Sequence, residues 1–489
     1  MTEVRPTTNG AGVSLIATKS YSTGEIILEE DPLVVLAPTS PSEDEALRKQ
    51  FQLSGGTQKT IADVELSPDV NADYGGKWRG MIVAAAVYAV RNAAGGAGAG
   101  EGNDEEKRKE FLELYHPDLS SPSTDEEKTI VGVARSARTF LVEKCVDGSH
   151  ASKFARDHGE ECLQVMLLWT CNSFEGGAVY GRTSRANHSC DPNAVVRDAA
   201  PALGAKSRRR QQLVAACPVS PGDEIFISYL GPLLYAGGPA RLSRLRLAKH
   251  FACNCSRCAA PDKATAVPCP SCHPRINSRA LDEDVQYDDD NDVRYAVPKN
   301  AATATVSVRG EACGEASKDA AILTLMNRVS EKVASRIVAS EASKKKKAQA
   351  AAGKNGKKSK GKTRGGSAQD GDDDDDDDDS SLQSEMDENL LRLASSTLGA
   401  RHWCTNLLLR SSLERQLSAI HAAMVLGGEP PSIDELAECI DSLQRLWSYA
   451  DGLGLRMSSA HWLVGVTIGV SRALVGLGDE KSRSYGAEW

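Results

Sequence analysis

Aromatic side chains are scarce in this chain, 5% of 489 residues, and no excess of one charge runs along its length. The formal net charge is −9, and Asp370 with Asp372 to Asp379 accounts for all of it. No general basic field therefore points to a nucleic-acid site, and no general acidity points to disorder. Long hydrophobic runs are missing too. The longest, Met81 to Val90, has ten residues, whereas a helix crossing a bilayer needs about 20. The opening MTEVRPTTNG lacks the apolar core of a secretory signal. The 13 cysteines are thus expected to be reduced, with clustered ones holding metal rather than forming disulfides. A nuclear or cytoplasmic setting, with no membrane partner, is the corresponding expectation. What is present is an ordinary globular composition, 40% apolar and 26% charged, in a chain long enough for two or three domains.

Strand-like runs at Val13 to Ala17 and Ile26 to Leu36 flank Gly24-Glu25, and the second is interrupted at Asp31-Pro32. Trp78 to Arg91 predicts a buried, alanine-rich helix ending in the glycine-rich loop Ala93 to Gly102. Helical periodicity returns at Ile130 to Cys145 and Phe154 to Cys171. Short strands are expected at Ala194 to Arg197, Gln211 to Cys217 and Glu224 to Ser228, the last after the turn Pro221-Gly222-Asp223. Pro239 to His250 reads as a basic helix, Ala259 to Asn300 as polar and irregular, and Lys318 to Ile337 as helical. Blocks of lysine and then aspartate make residues 341–384 a disordered linker. Its basic half is open to three readings: an import signal, an acid-binding tail or a solvated spacer. Leu390 to Leu426, Ile433 to Leu453 and Ser458 to Leu474 predict helical hairpins, without a clean repeat.

The strongest local chemistry is Cys253-x-Cys255-x-x-Cys258. Three thiols within six residues can wrap one tetrahedral zinc ion, which needs four ligands; left exposed and unligated, they would be an oxidation liability. Cys269-x-x-Cys272, with His273 beside it and Cys313 as a distant candidate, is either a second half-site or a pair of loop cysteines.

Asn187-His188-Ser189-Cys190-Asp191-Pro192-Asn193 and Gly222-Asp223-Glu224-Ile225-Phe226-Ile227-Ser228-Tyr229-Leu230 are the second signal. Gly10-Ala11-Gly12, Gly24-Glu25, Asp31-Pro32-Leu33 and Cys171-Asn172-Ser173-Phe174 precede them, and Phe251 with the cysteine cluster follows. In this order the motifs resemble the SET-domain protein-lysine methyltransferases of the SET-and-MYND (SMYD-like) family. The resemblance spans roughly residues 10–258, about half the chain. No cysteine occurs between Pro38 and Gly80, so a relative lacking the MYND finger is expected.

The resemblance implies an α+β fold. Its parts would be a SET domain of short β-sheets with a pseudoknot, a helical insertion, a zinc-binding post-SET segment and an all-α C-terminal domain. The expected boundaries are 1–37 and 172–238 for the two parts of the SET domain, 38–171 for the insertion and 239–275 for the post-SET segment. An irregular and helical connector (276–340), the charged linker (341–384) and a tetratricopeptide-like domain (385–489) complete the chain. By the same resemblance S-adenosylmethionine lies along Gly10, Ala11 and Gly12, where small residues allow close approach. Asn172, Ser184, Asn187 and His188 touch its polar parts, Phe251 stacks on its adenine, and Cys190 joins Cys253, Cys255 and Cys258 around structural zinc. Tyr229 is the expected catalytic residue. Lys249 stands where the family carries an aromatic wall of the substrate channel, and no basic residue follows Gly12 directly.

Methyl transfer needs a neutral amine, and shedding the proton of a lysine with reference pKa about 10.4 costs on the order of 4.6 kcal/mol at pH 7. A desolvated channel lowers that cost. The tyrosine hydroxyl aligns the lone pair, so no carboxylate base is required and Glu224 is expected to brace the fold. The sequence thus predicts an S-adenosylmethionine-dependent lysine N-methyltransferase, monomeric, acting on histone or non-histone lysines. The alternative is a non-catalytic SET-fold adaptor, a transcription cofactor working through its C-terminal helices.

Overall fold

The computed structural model describes residues 2–7, 12–39, 41–51, 70, 74–93, 104–199, 210–268, 295–298, 308–310, 316–317, 328–329, 331–333, 388–426, 431–455, 467 and 470. The expected linker 341–384, the Gly10-Ala11 pair, Cys269, Cys272, His273 and Cys313 lie outside them, as do most of Lys318 to Ile337 and of Ser458 to Leu474. Internal contacts divide the chain into two units, Met1–Tyr229 with Ser243–Cys253, and Leu230–Leu242 with Asn254–Trp489.

The first unit is built from short antiparallel pairs around a helical cluster. Strand β1 (Thr2–Pro6) pairs with β2 (Val13–Ala17), and β3 (Ile26–Glu30) lies beside β8 (Gln211–Ala215), which also pairs with β7 (Ala194–Asp198). β4 (Val34–Val35) pairs with β5 (Ala178–Val179). The expected break at Asp31-Pro32 is where β3 ends and β4 has yet to begin. Alternation along these strands turns Leu15, Ile27, Leu213 and Ala215 into one small core with Ile225 and Ile227. The expected strand at Glu224 to Ser228 shrinks to β9 (Phe226–Ile227), because Glu224 makes only an isolated bridge to Ile16.

Between the strand halves lie α1 (Pro41–Arg48), α2 (Gly75–Ala93), α3 (Asp104–Leu112), α4 (Asp125–Lys144), α5 (His150–Asp157) and α6 (Gly159–Asn172). α4 starts on a capping box in which Thr124 and Glu127 satisfy each other's backbone N–H groups. One continuous helix was expected over Phe154 to Cys171. The chain instead breaks at His158 (φ −125°, ψ 48°), and Gly159 opens the next helix. A Cβ at Gly159 would strike the Arg138 guanidinium. α2 is the hub: Trp78, Met81, Ile82, Ala84, Ala85 and Ala86 are fully buried, and Trp78 meets Phe140 edge-on at 5.0 Å. The same cluster buries the thiols of Cys145 and Cys162, and burial pushes each up to about 12.

In the second unit, residues read as irregular contribute a four-stranded antiparallel sheet, β10 (Val267–Pro268), β11 (Tyr295–Pro298), β12 (Val308–Gly310) and β13 (Ala316–Ser317). Strands of two to four residues leave no period to read. Helix α7 (Gly238–Lys249), whose residues from Ser243 on belong to the first unit, precedes the cysteine motif, and the short α8 (Ser256–Ala259) carries its last cysteine, Cys258. Helices α9 (Trp403–Leu426) and α10 (Ile433–Gly452) form the expected hairpin, α10 opening on a Ser432–Glu435 capping box. Arg241 and Asp262 form a fully buried ion pair at 3.1 Å. Among the described residues no helix is long and apolar enough to cross a membrane.

Close packing of α2 on α6 makes a definite prediction. A methyl group at Gly80 would run into the indole of Trp169, so Gly80→Ala should destabilise the chain by about 1–3 kcal/mol. Thermal unfolding followed by circular dichroism would show this as a lowered Tm.

Candidate active site and cysteine cluster

Two residues of strand bring the two motifs together. β6 (Asn187–His188) runs parallel to β9, with Asn187 opposite Phe226 and His188 opposite Ile227. Asn187 Nδ2 donates to Val13 O (3.1 Å), Ser14 Oγ (3.3 Å) and Glu224 Oε1 (2.8 Å). Asn193 donates to Glu224 O and accepts from the Phe226 N–H, both at 2.8 Å. Glu224 is therefore a brace between the motifs.

Beside this pair, His188, Tyr229 and Phe251 form an aromatic triangle. The His188 ring lies 5.3 Å from Tyr229 and 5.9 Å from Phe251, and Tyr229 meets Phe251 edge-on at 6.4 Å. The Tyr229 N–H donates to His188 Nδ1 at 3.1 Å. Since Nδ1 accepts, the neutral ring carries its hydrogen on Nε2, which faces Cys190 Sγ at 3.4 Å. The Tyr229 hydroxyl donates to Ala186 O at 2.7 Å. Burial pushes this phenol above its ordinary range, with Cys171 and Glu224 adding to the rise, so it stays protonated.

Lys249 reaches into the same place. Its Nζ donates to Cys171 O at 2.8 Å and lies 5.2 Å from the Tyr229 ring centroid. Burial lowers its pKa, Arg244 lowers it further, and Cys171 opposes them. Burial likewise pushes the Cys171 thiol up to about 11, against the pull of Lys249 and Lys77.

The remaining candidates spend their donors on the fold. Asn172 Nδ2 donates to Tyr115 O (2.8 Å) and Leu168 O (3.0 Å), and the Ser184 hydroxyl donates to Asn172 O (3.3 Å) while accepting from the Tyr180 N–H. Among the described residues neither Asn172 Oδ1 nor Asn187 Oδ1 takes a hydrogen bond, so what these two side chains offer a ligand is an acceptor. Gly12 sits at φ +122°, and a Cβ there would meet nothing within 4 Å. Its carbonyl takes the Thr7 N–H at 3.0 Å.

The sulfurs of Cys190, Cys253, Cys255 and Cys258 all lie within 4.8 Å of one another. Cys190 is fully buried and the other three half-buried. Tetrahedral zinc, with Zn–S of about 2.3 Å, sets its sulfurs roughly 3.8 Å apart, so the donor set suits the ion in number, spacing and softness. Two neighbours suit its charge. His188 Nε2 faces Cys190, and Arg241 Nη2 lies 3.9 Å from Cys258 Sγ; both offer N–H donors to thiolates whose tetrad around Zn²⁺ has net charge −2.

Lys77 and His250 were missed from sequence. Lys77 Nζ lies within hydrogen-bond reach of Leu247 O, Ala248 O and His250 Nε2. No motif marks a lysine in an apolar helix whose partners are at least 170 residues away.

The cysteine geometry is checked by metal analysis. The purified chain should carry about one zinc per molecule, and Cys255→Ser should lose it; zinc content unchanged by the substitution would remove Cys255 from the ligand set.

Residues 12–230 match the family model "SET domain". The histone-lysine N-methyltransferase SMYD3 of Mus musculus is 28% identical over 170 residues, 33% of this chain and 36% of that protein. The N-lysine methyltransferase SMYD2 of Mus musculus is 34% identical over 156 residues, 30% and 32% respectively. The histone-lysine N-methyltransferase SET5 of Saccharomyces cerevisiae is 31% identical over 99 residues, 20% and 17%. The chain thus spans about a third or less of the length of the curated relatives it matches. Among solved structures, the SET domain of LSMT bound to lysine and AdoHcy covers 95% of this chain and 85% of that one, at 11% identity and a TM-score of 0.30. The family match, together with the motifs that β6 and β9 join, makes residues 12–230 a SET domain, and SMYD methyltransferases are among its relatives in sequence.

Proposed function

We propose that the chain is a protein-lysine N-methyltransferase that takes its methyl group from S-adenosylmethionine. The observation that carries the proposal is the aromatic triangle of His188, Tyr229 and Phe251, gathered beside the β6–β9 pairing in a SET domain. The curated relatives are named for transfer to lysine.

S-adenosylmethionine, when bound, supplies an electrophilic sulfonium methyl. Asn172 Oδ1 and Asn187 Oδ1 are acceptors suited to its ammonium and its adenine amine, and the open space at Gly12 lets backbone approach it. Phe251 offers an aromatic face to the adenine. Tyr229, protonated and anchored on Ala186 O, keeps its phenol oxygen fixed as an acceptor that can orient the incoming amine. Burial favours the protonated phenol over a phenolate base, and Glu224 is committed to Asn187, so in this reading the amine sheds its proton by desolvation and to water. Zinc, held by the four cysteines, would fix Phe251, two residues from Cys253. Histone and non-histone lysines both fit these requirements, in a nuclear or cytoplasmic protein acting as a monomer.

One observation favours the adaptor reading. Lys249 already binds Cys171 O beside the Tyr229 ring, where an acceptor amine would be expected.

Calorimetric titration with S-adenosylmethionine separates the two, since an adaptor gives no binding heat. For the enzyme, Tyr229→Phe should cut radiolabelled methyl transfer by about 10²-fold or more while donor affinity stays within about twofold. Loss of affinity instead would make Tyr229 a binding residue.

A further inference from the structure

Helix α7 ends at Lys249, and the chain then turns sharply through His250, the one non-glycine residue at positive φ (65°) among the described residues. A left-handed histidine is unfavourable and persists only where its surroundings impose it. Immediately after it comes Phe251, and two residues later the first cysteine of the motif. Whatever holds the turn therefore aims the aromatic face proposed for the donor's adenine.

The holding group comes from far away in sequence. Lys77, on α2, places its Nζ 2.6 Å from Leu247 O, 2.9 Å from Ala248 O and 2.9 Å from His250 Nε2. The last carbonyls of a helix have no partner within it, and two of those belonging to α7 are met here by one side chain. Burial, with Lys249 and Arg244 close by and Cys171 opposing, lowers Lys77 to about 7. In its protonated form the amine carries three N–H donors and no acceptor, so the three acceptors exhaust it and His250 Nε2 is the unprotonated nitrogen. The His250 ring stacks on Tyr74 (6.5 Å between centroids, 17° between planes), and Lys77 Nζ lies 5.8 Å from the Tyr74 ring centroid. Burial, with Lys77 and Lys249 close by, lowers the imidazole to about 3. It is therefore neutral and able to accept.

We propose that Lys77 is a positioning residue for methyl transfer: by closing the end of α7 and seating His250, it fixes Phe251 against the donor. The proposal rests on the methyltransferase reading and gives a role there to α2.

The test uses the full chain with its zinc. Lys77→Met keeps the aliphatic stem and removes all three donors. It should raise KM for S-adenosylmethionine about tenfold and leave kcat at saturating donor within about twofold. Zinc should stay bound, and hydrogen exchange should quicken only at residues 249–251. Lys77→Arg, which keeps a cationic donor, should restore most of the donor KM. An unchanged KM in Lys77→Met overturns the proposal, and so does faster exchange spread through all of α2, which would mean a merely structural role. If Lys77→Met does not fold, His250→Gly serves in its place. It removes the imidazole and tolerates positive φ, so a donor KM equal to wild type would again overturn the proposal. Should the wild-type chain transfer no methyl group at all, the methyltransferase reading falls, and exchange at residues 249–251 alone decides whether Lys77 holds the turn.

Discussion

Much of this site hangs on one hydrogen bond, from the Tyr229 backbone N–H to His188 Nδ1. It selects the tautomer of the ring and so aims a hydrogen at Cys190. One imidazole thereby ties the catalytic candidate's backbone to the sulfur cluster, and the second half of the SET motif to the segment that follows it. Outer-shell bonds of this kind orient a metal ligand and moderate the charge on its sulfur. Neighbouring bonds also explain why two residues of parallel pairing suffice for β6 and β9: the side chains of Asn187 on β6 and of Asn193 and Glu224 beside the strands cross-link what the short ladder cannot hold alone.

Much of the architecture could be read from the chain because its signals are local. Three cysteines within six residues announce a metal site. Asn187-His188 and Gly222-Asp223-Glu224 are recognisable as blocks, and α2 shows itself by apolar content alone. What escaped reading is of two kinds. Elements too short to show a period, such as β6 and the strands from Val267 to Ser317, are made by pairing and not by their own propensity. The His158-Gly159 break is different, since apolar periodicity continues on either side of it and masks it.

Side-chain roles were harder to read than positions. Asn187 and Asn172 were expected to contact a cofactor, and in the fold their amide nitrogens bind backbone and neighbouring side chains, leaving only oxygens outward. Which end of an amide faces a ligand depends on contacts up to 174 residues away, and no local pattern encodes it. Lys77 is the extreme case. Its helix explains its presence on paper, and only the end of α7 explains its use.

The distribution of sulfur acidity has a consequence of its own. Cys145 and Cys162 are held as thiols by burial, and Cys171, Cys217 and Cys439 are shifted the same way. Electrophiles attack thiolates, so within the described part of the molecule these five are poor targets, and the half-buried sulfurs at Cys253, Cys255 and Cys258 become targets only when no metal holds them. Were the proposed methyltransferase to lose its metal, peroxide or an alkylating agent would then reach the sulfurs next to Phe251 first, and the damage would fall on the proposed donor site well before the buried thiols of the helical core.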